Sequence, residues 1–451
     1  MKIAILGAGT AGFVAAAQFS HALPGAELLH VFDSRLPTIG VGEGTTPRFP
    51  GWFEDVTGLS FDTLAERCGA TLKTGTRFEG WGAGGGTFIN RFQPVRLVGY
   101  HFDAAAVVQV LAEHVRATRV DARVTALKRH AGGVGLQLHD GRELDCDYIF
   151  DCRGFPQSVN ADQPNSPTDD DAVRPLPWIP TGRAMLRRLA PGAFSGVRNV
   201  TRAIARPHGW VFQIPLRDWT STGYIFNPTL SSDAEVDADY TAFLHEEGVT
   251  TWEPRGALAF PNFVRRQLFD GRVFRGGNAA CFLEPLEATA IGSAIQHARA
   301  AAHWMAEHPS PQGAEAEVAH YNEALLTNVC RDSLFLAWHY ACGSRWDTPF
   351  WQHARQGLDR ARADAWAAPQ LAAMKPFVAA GRQLPPQELA QCGDQDEWDR
   401  RIFPLLKLFR PFGNFSELNF AQVGHGIGCY GTRPGPAHPR RARQARVARG
   451  P

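Results

Sequence analysis

The chain opens with Lys2-Ile3-Ala4-Ile5-Leu6, an apolar run of one buried strand's length, and Gly7-Ala8-Gly9-Thr10-Ala11-Gly12 follows without a break. Phe13 to Phe19 is apolar and Ala-rich and reads as a helix. After a turn at Pro24-Gly25, residues 27–32 read as a second strand ending at Asp33, twenty-one residues beyond the third glycine. Strand, glycine turn, helix and strand make a nucleotide-binding βαβ unit. Glycines permit the tight turn and the close helix packing, and the helix N-terminus faces a pyrophosphate. The motif alone is weak, because glycine turns occur in unrelated α/β proteins. Its context predicts dinucleotide binding by Gly7, Gly9, Thr10, Ala11 and Gly12, with Asp33 on a ribose hydroxyl.

Composition narrows the field. A chain of 451 residues, 44% of them hydrophobic, can bury a large core in one big domain or two interlocked ones. A net charge of +1 argues against nucleic acid or a membrane surface as the main partner. No apolar run approaches the ~18 residues of a spanning helix. Eight scattered cysteines without a CxxC pair fit a reduced cytoplasm better than a disulfide framework or a metal site. Only five of the forty-six basic residues are lysines, so a lysine in a special position is less expected by chance.

Further along, residues 102–115 read as a helix and residues 121–124 begin a strand. Residues 135–144 form a hairpin with an Asp140-Gly141 turn. Residues 148–154 are a short buried strand ending in Gly154, an arrangement that resembles FAD-dependent hydroxylases. Residues 156–180 read as loop, 197–228 as strands, and 293–307 and 315–342 as helices. The tail from Arg433 has six arginines and no acid, and is expected to be disordered. No second GxGxxG offers a site for NAD(P)H; if the dinucleotide is FAD, reduced flavin would have to come from elsewhere.

Three segments go beyond a generic flavoprotein: Gly40-Val41-Gly42-Glu43-Gly44-Thr45-Thr46-Pro47, Gly209-Trp210-Val211-Phe212-Gln213-Ile214-Pro215, and Glu284-Pro285-Leu286-Glu287-Ala288-Thr289-Ala290. They resemble the flavin strap, the WxWxIP signature and the EPLESTG segment of the flavin-dependent tryptophan halogenases. Tyr100-His101-Phe102-Asp103-Ala104 and Asp347-Thr348-Pro349-Phe350-Trp351 also look like family segments, so the resemblance runs from Met1 to about Gly428. Leu72-Lys73-Thr74-Gly75-Thr76-Arg77-Phe78-Glu79-Gly80-Trp81 is similar to the family's lysine segment, with Lys73 on the catalytic lysine and Arg77 replacing a second one.

The resemblance implies an α/β fold: an FAD-binding Rossmann-type, flavin monooxygenase-like core with an added, largely helical substrate-binding region. The core would comprise residues 1–160 and 265–305, and the substrate region residues 161–264 and 306–432. Cofactor contacts would extend to Gly40, Val41, Gly42, Val124, Gly154 and Leu283. The implied chemistry begins with reduced FAD and O2 giving a C4a-hydroperoxide, which chloride or bromide attacks. Hypohalous acid then passes to Lys73, while Glu287 stabilises the cationic arene and takes its proton. Glu284 is expected to be structural or near the flavin. Thr289 and Ala290 would offer the halide their N–H groups. Trp210, Phe212, Ile214 and Pro215 would form a wall that limits direct hydroxylation.

Departures bear on substrate. Alanine replaces the family's glycine at Ala290, which matters if that position has positive φ. Phe212 stands in place of a tryptophan. Only residues 82–98 link Trp81 to the YHFDA stretch, and Asn419-Phe420-Ala421 stands where paired tyrosines occur in the family. An open site for an indole, another electron-rich arene or a peptide-borne tryptophan follows, rather than one closed over free tryptophan. A separate NAD(P)H-dependent flavin reductase is the implied partner. No metal, nucleic acid or membrane is expected, and a homodimer is compatible with the reading. The alternatives are a monooxygenase hydroxylating an aromatic or tryptophan-type substrate on the same scaffold, and a flavin-binding protein without turnover.

Overall fold

The computed structural model describes residues 1–36, 43–92, 97–156, 173–194, 199–309, 314–384 and 411–431. The expected strap glycines Gly40 and Gly42, with Val41, lie outside them, as does the Arg-rich tail. Most of the 156–180 loop is outside as well.

The apolar run at the N-terminus is the middle strand of a five-stranded parallel sheet. Its order is Val273–Arg275, Tyr148–Asp151, Lys2–Leu6, Glu27–Phe32, Thr118–Asp121. Its inner strands are covered on both faces, which is why they lack polar alternation, whereas the edge strand Thr118–Asp121 is largely exposed. Ile3, Ile5 and Phe150 face helices Thr10–Ala22 and Thr289–Glu307, whose Ala15, Ala17, Ala298 and Ala301 let the backbones approach closely. Ala4, Leu6, Leu29 and Ile149 face a three-stranded antiparallel layer, Val124–His130, Gly133–Leu138 and Glu143–Cys146. The helix expected over 102–115 spans Ala104–Ala112, because the Asp103 carboxylate accepts the Ala105 N–H at 2.9 Å and caps it. The strand expected to begin at Asp121 ends there instead, and a new one starts at Val124.

A second sheet has seven strands in the order Glu253–Ala259, Arg183–Leu189, Thr220–Phe226, Gly209–Pro215, Thr201–Arg206, Gly75–Trp81, Gly86–Arg91. All neighbours are antiparallel except Thr201–Arg206 with Gly75–Trp81. On one face Ile204, Val211 and Tyr224 pack on helix Asp233–Glu246. On the other, Phe78, Trp81, Trp210 and Ile225 pack on helix Glu315–His339 and its neighbours. That long helix stops at His339, short of the expected 342, ahead of Gly343 at φ +65°. A small two-stranded ribbon, Thr71–Lys73 with Gly99–His101, pairs Lys73 with Gly99.

Candidate active site

The glycine turn is shaped by two close approaches. Gly7 sits at φ +114°, and a Cβ there would lie 2.6 Å from the Cys152 carbonyl oxygen. A Cβ on Gly12 would lie 2.1 Å from the Gly7 carbonyl oxygen, which also bonds His30 Nε2 at 2.8 Å. Gly9 differs, with nothing within 4 Å of the position its Cβ would take. It is the N-cap of helix Thr10–Ala22, which has no side-chain cap and no acid in its first turn. Its first N–H groups and positive dipole end therefore point into open space.

That space is a cleft of about 590 Å³ lined by Gly7, Gly9, Thr10, Ala11, Asp33, Val124 and Gly154. Of the other expected cofactor residues, Gly12 packs beneath the turn, and Leu283 lines an adjoining void of about 30 Å³ that shares Gly277, Asn278 and Ala290 with the cleft. Asp33 is bound by Arg35 through two bonds of 2.8 and 2.9 Å, and the guanidinium holds its carboxyl down to about 2. A ribose hydroxyl would share that carboxylate with Arg35. Arg153 and Asn278 also line the cleft, and nothing in the motif spacing marks them. An open glycine at an uncapped helix end, beside an acid, fits the pyrophosphate and ribose of a dinucleotide such as FAD.

Lys73 lies away from this cleft, fully buried at the end of its strand. Its Nζ has no hydrogen-bond partner among the described residues and sits 5.5 Å from the centroid of the Phe92 ring. Burial pulls its pKa from 10.5 to about 8, against the opposing pull of Glu287. His101, on the paired strand, is buried with Nε2 2.8 Å from Thr201 Oγ1. Burial, reinforced by Lys73, keeps its pKa well below the ordinary range.

Glu287 closes a 3-10 turn, Pro285–Glu287, and is 3% exposed. Its Oε1 accepts the Asn90 Nδ2–H at 2.9 Å and lies 2.8 Å from His339 Nε2. Glu284, at the start of the same turn, accepts from the Tyr340 hydroxyl at 2.8 Å and from Thr181. Burial pushes its carboxyl up to about 7, and it ties the turn to the end of helix Glu315–His339 and to the segment before strand Arg183–Leu189. Between the turn and helix Thr289–Glu307 stands Ala288 at φ +53°, the one non-glycine with positive φ among the described residues. Thr289 and Ala290 are the first residues of the helix, so the expected concern over a Cβ at Ala290 falls instead on Ala288. Ala290 lines the cofactor cleft, while Glu287 acts on Lys73. The end of the turn and the helix start that follows it thus link the surroundings of the lysine to the cleft.

The tryptophan halogenase family model matches residues 2–98 and 95–366. The chain belongs to that family. Tryptophan 7-halogenase RebH of Lentzea aerocolonigenes is 26% identical over 423 residues, 78% of each chain. Among solved structures, the Shewanella frigidimarina tryptophan halogenase matches with a TM-score of 0.75 at 20% identity, covering 97% of this chain and 91% of its own. MibH, a lathipeptide tryptophan 5-halogenase, matches with a TM-score of 0.73 at 21% identity, covering 98% and 87%. These two likenesses carry the fold. Membership makes the chain a flavin-dependent enzyme of the halogenase class, whose family activity is halogenation of tryptophan-like compounds.

Within this halogenase the four residues expected to form the wall, Trp210, Phe212, Ile214 and Pro215, lie on strand Gly209–Pro215. Trp210 is buried 6.3 Å from Trp81, and the Phe212 ring covers Gly223. The Pro215 carbonyl accepts the Thr71 hydroxyl at 2.7 Å, tying this strand to the one that carries Lys73. Two polar residues at Glu287, Asn90 and His339, escape sequence reasoning about catalysis, as does Asn419 behind them, whose Nδ2 donates to Asn90 Oδ1 at 3.0 Å. They lie far apart in the chain, and only the packing of hairpin, turn and helix brings them together.

Proposed function

We propose that this chain halogenates an indole or another electron-rich arene, free or carried on a peptide, with Lys73 and Glu287 as its catalytic pair. The observation that carries the reading is the buried, unpartnered Lys73 amine under the electrostatic pull of Glu287, a residue that stands just before a helix whose first turn lines the cofactor cleft. FAD, delivered reduced by a separate NAD(P)H-dependent reductase, would with O2 and chloride or bromide supply an electrophilic halogen equivalent.

Gly9 and the N–H groups of helix Thr10–Ala22 would hold the pyrophosphate, with Asp33 on the ribose. The N–H groups of Thr289 and Ala290, at a helix start without a side-chain cap, favour an anion and support the halide assignment. Lys73, isolated from water, would present the halogen to the substrate either by hydrogen bond or as a haloamine. Glu287 would stabilise the cationic ring and take the proton from the halogenated carbon, restoring aromaticity. The short 82–98 link, together with Asn419 and Phe420 in place of tyrosines, supports an indole-type or peptide-borne arene over free tryptophan. We further propose the core of residues 1–160 and 265–305 as the cofactor unit.

The test combines the protein, FAD, a flavin reductase, NADH and bromide or chloride with a panel of indoles, phenols and tryptophan peptides, read by mass spectrometry. A halogen mass gain that disappears in Lys73→Ala is expected. A halide-independent gain of oxygen would replace the proposal with a monooxygenase.

A further inference from the structure

His339 is fully buried, and both of its ring nitrogens are engaged. Nδ1 lies 2.8 Å from the Phe335 carbonyl oxygen, one turn back on the same helix, and Nε2 lies 2.8 Å from Glu287 Oε1. A carbonyl only accepts, so Nδ1 carries a hydrogen. Nε2 then faces a carboxyl oxygen with one proton between them, whichever atom holds it. Two bare lone pairs at 2.8 Å in a buried site would repel, and no water reaches the ring to relieve them.

Asn90 fixes the second bond. Its Oδ1 accepts from Asn419 Nδ2 at 3.0 Å, which turns its own Nδ2 to Glu287 Oε1. Asn419 is held in turn by the Ser416 N–H and hydroxyl at the start of helix Glu417–Gly426. Both bonds end on Oε1, leaving Oε2 to receive a proton.

We infer that His339 is a positioning residue that keeps Glu287 in a proton-sharing pair with no net charge, so that Lys73 does not face a bare carboxylate. A lone carboxylate beside a buried amine would draw a proton onto it and keep it an ammonium, which cannot become a haloamine. A pair without net charge leaves burial as the dominant influence on the amine. The same pair still has Oε2 free when the substrate's C–H bond breaks: the bonding electrons return to the ring and the proton passes to Oε2.

The other charged or titratable groups facing the pair do not replace His339. His101 beside Lys73 is kept neutral by burial and bonded to Thr201. Glu284, on the far side of His339, is taken up by Tyr340 and Thr181. The consequence for catalysis rests on the reading of Lys73 given above, but the charge state of the pair can be read without turnover.

With only five lysines in the chain, lysine labelled with carbon-13 at Cε gives a sparse spectrum in which Lys73 is assigned by its loss in Lys73→Met. The full-length protein is titrated without halide or substrate. His339→Gln, which keeps a hydrogen-bond donor but carries no charge, is expected to raise the Lys73 midpoint by about one pH unit. Glu287→Gln, which removes an already compensated charge, is expected to move it by less than about half a unit. A Lys73 midpoint unchanged in His339→Gln, or lowered by about a unit or more in Glu287→Gln, overturns the inference. If His339→Gln does not fold, the Glu287→Gln arm decides alone. Absence of halogenation alongside the expected titration would overturn the proposed function and leave the pair in place.

Discussion

Glu287 acts electrostatically on Lys73, yet the two are held unequally: the carboxylate has Asn90 and His339 bonded to it, while the amine has no hydrogen-bond partner among the described residues. A buried polar group left unpaired costs about 1–3 kcal/mol. Lys73→Met keeps the length of the chain and removes that group. It is expected to raise the unfolding free energy by about 1 kcal/mol or more while abolishing halogenation. FAD binding and hydrogen peroxide formation should persist, since Lys73 does not line the cleft. A destabilised Lys73→Met protein in thermal melts would mean that the amine has a stabilising partner.

The low pKa of Lys73 gives that difference a pH dependence. The group is neutral in the folded state above about 8, whereas the unfolded chain keeps its proton up to 10.5. Between those values the unfolded state binds more protons, so stability from this group rises with pH. The deficit of the native protein relative to Lys73→Met should therefore be full below about pH 8 and fade towards 10.5. If the neutral amine is the reacting form, halogenation climbs through the same midpoint near 8. A rate that falls there would mark the ammonium, donating a hydrogen bond, as the working form.

Glu287→Gln preserves the size of the side chain but removes its capacity to take a proton. Product formation is expected to fall by about 100-fold or more, with flavin oxidation unchanged. Flavin binding, measured by fluorescence, should also be unchanged, because Glu287 does not line the cofactor cleft. Loss of flavin binding would identify the residue as a support for the cleft.

Ala288 carries a backbone conformation that alanine adopts at a cost of roughly 1–2 kcal/mol. Ala288→Gly is expected to stabilise the protein by about 1 kcal/mol in chemical denaturation. Ala290→Gly should do the reverse, by about 0.5–1 kcal/mol, because Ala290 belongs to a helix. Equal effects at both positions would place the strain elsewhere.

The inner strands Lys2–Leu6, Glu27–Phe32 and Tyr148–Asp151 were legible because they are mostly apolar, and the glycine turn fixes where the first helix begins; the exposed, polar edge strand Thr118–Asp121 carries no such signal. Lys73 and Glu287 were legible through segments whose order is shared with a family. Asn90 and His339 were not, since an asparagine in a hairpin and a histidine near a helix end read as ordinary surface or core residues. Their roles depend on contacts across 197 and 52 positions of sequence. The positive φ at Ala288 was equally hidden: the sequence drew attention to a missing glycine two residues later, and local spacing does not say which residue of a turn takes the left-handed conformation.

Gly9 and Gly12 belong to one motif yet should fail in different ways. The position of a Cβ on Gly9 is open and faces the cleft, so Gly9→Leu would fill space that the cofactor needs without meeting other protein atoms there. Its FAD affinity is expected to fall at least about tenfold, or roughly 1.4 kcal/mol, while stability without cofactor changes by less than about 0.5 kcal/mol. A Cβ on Gly12 would lie 2.1 Å from the Gly7 carbonyl oxygen, beneath the turn. Gly12→Ala therefore forces helix Thr10–Ala22 off the sheet, and a loss of about 2 kcal/mol or more is expected before any cofactor is added. Thermal melts of the cofactor-free proteins, set beside flavin fluorescence titrations, separate the two. A Gly9→Leu protein that binds FAD as tightly as the native chain would move the pyrophosphate away from this helix end.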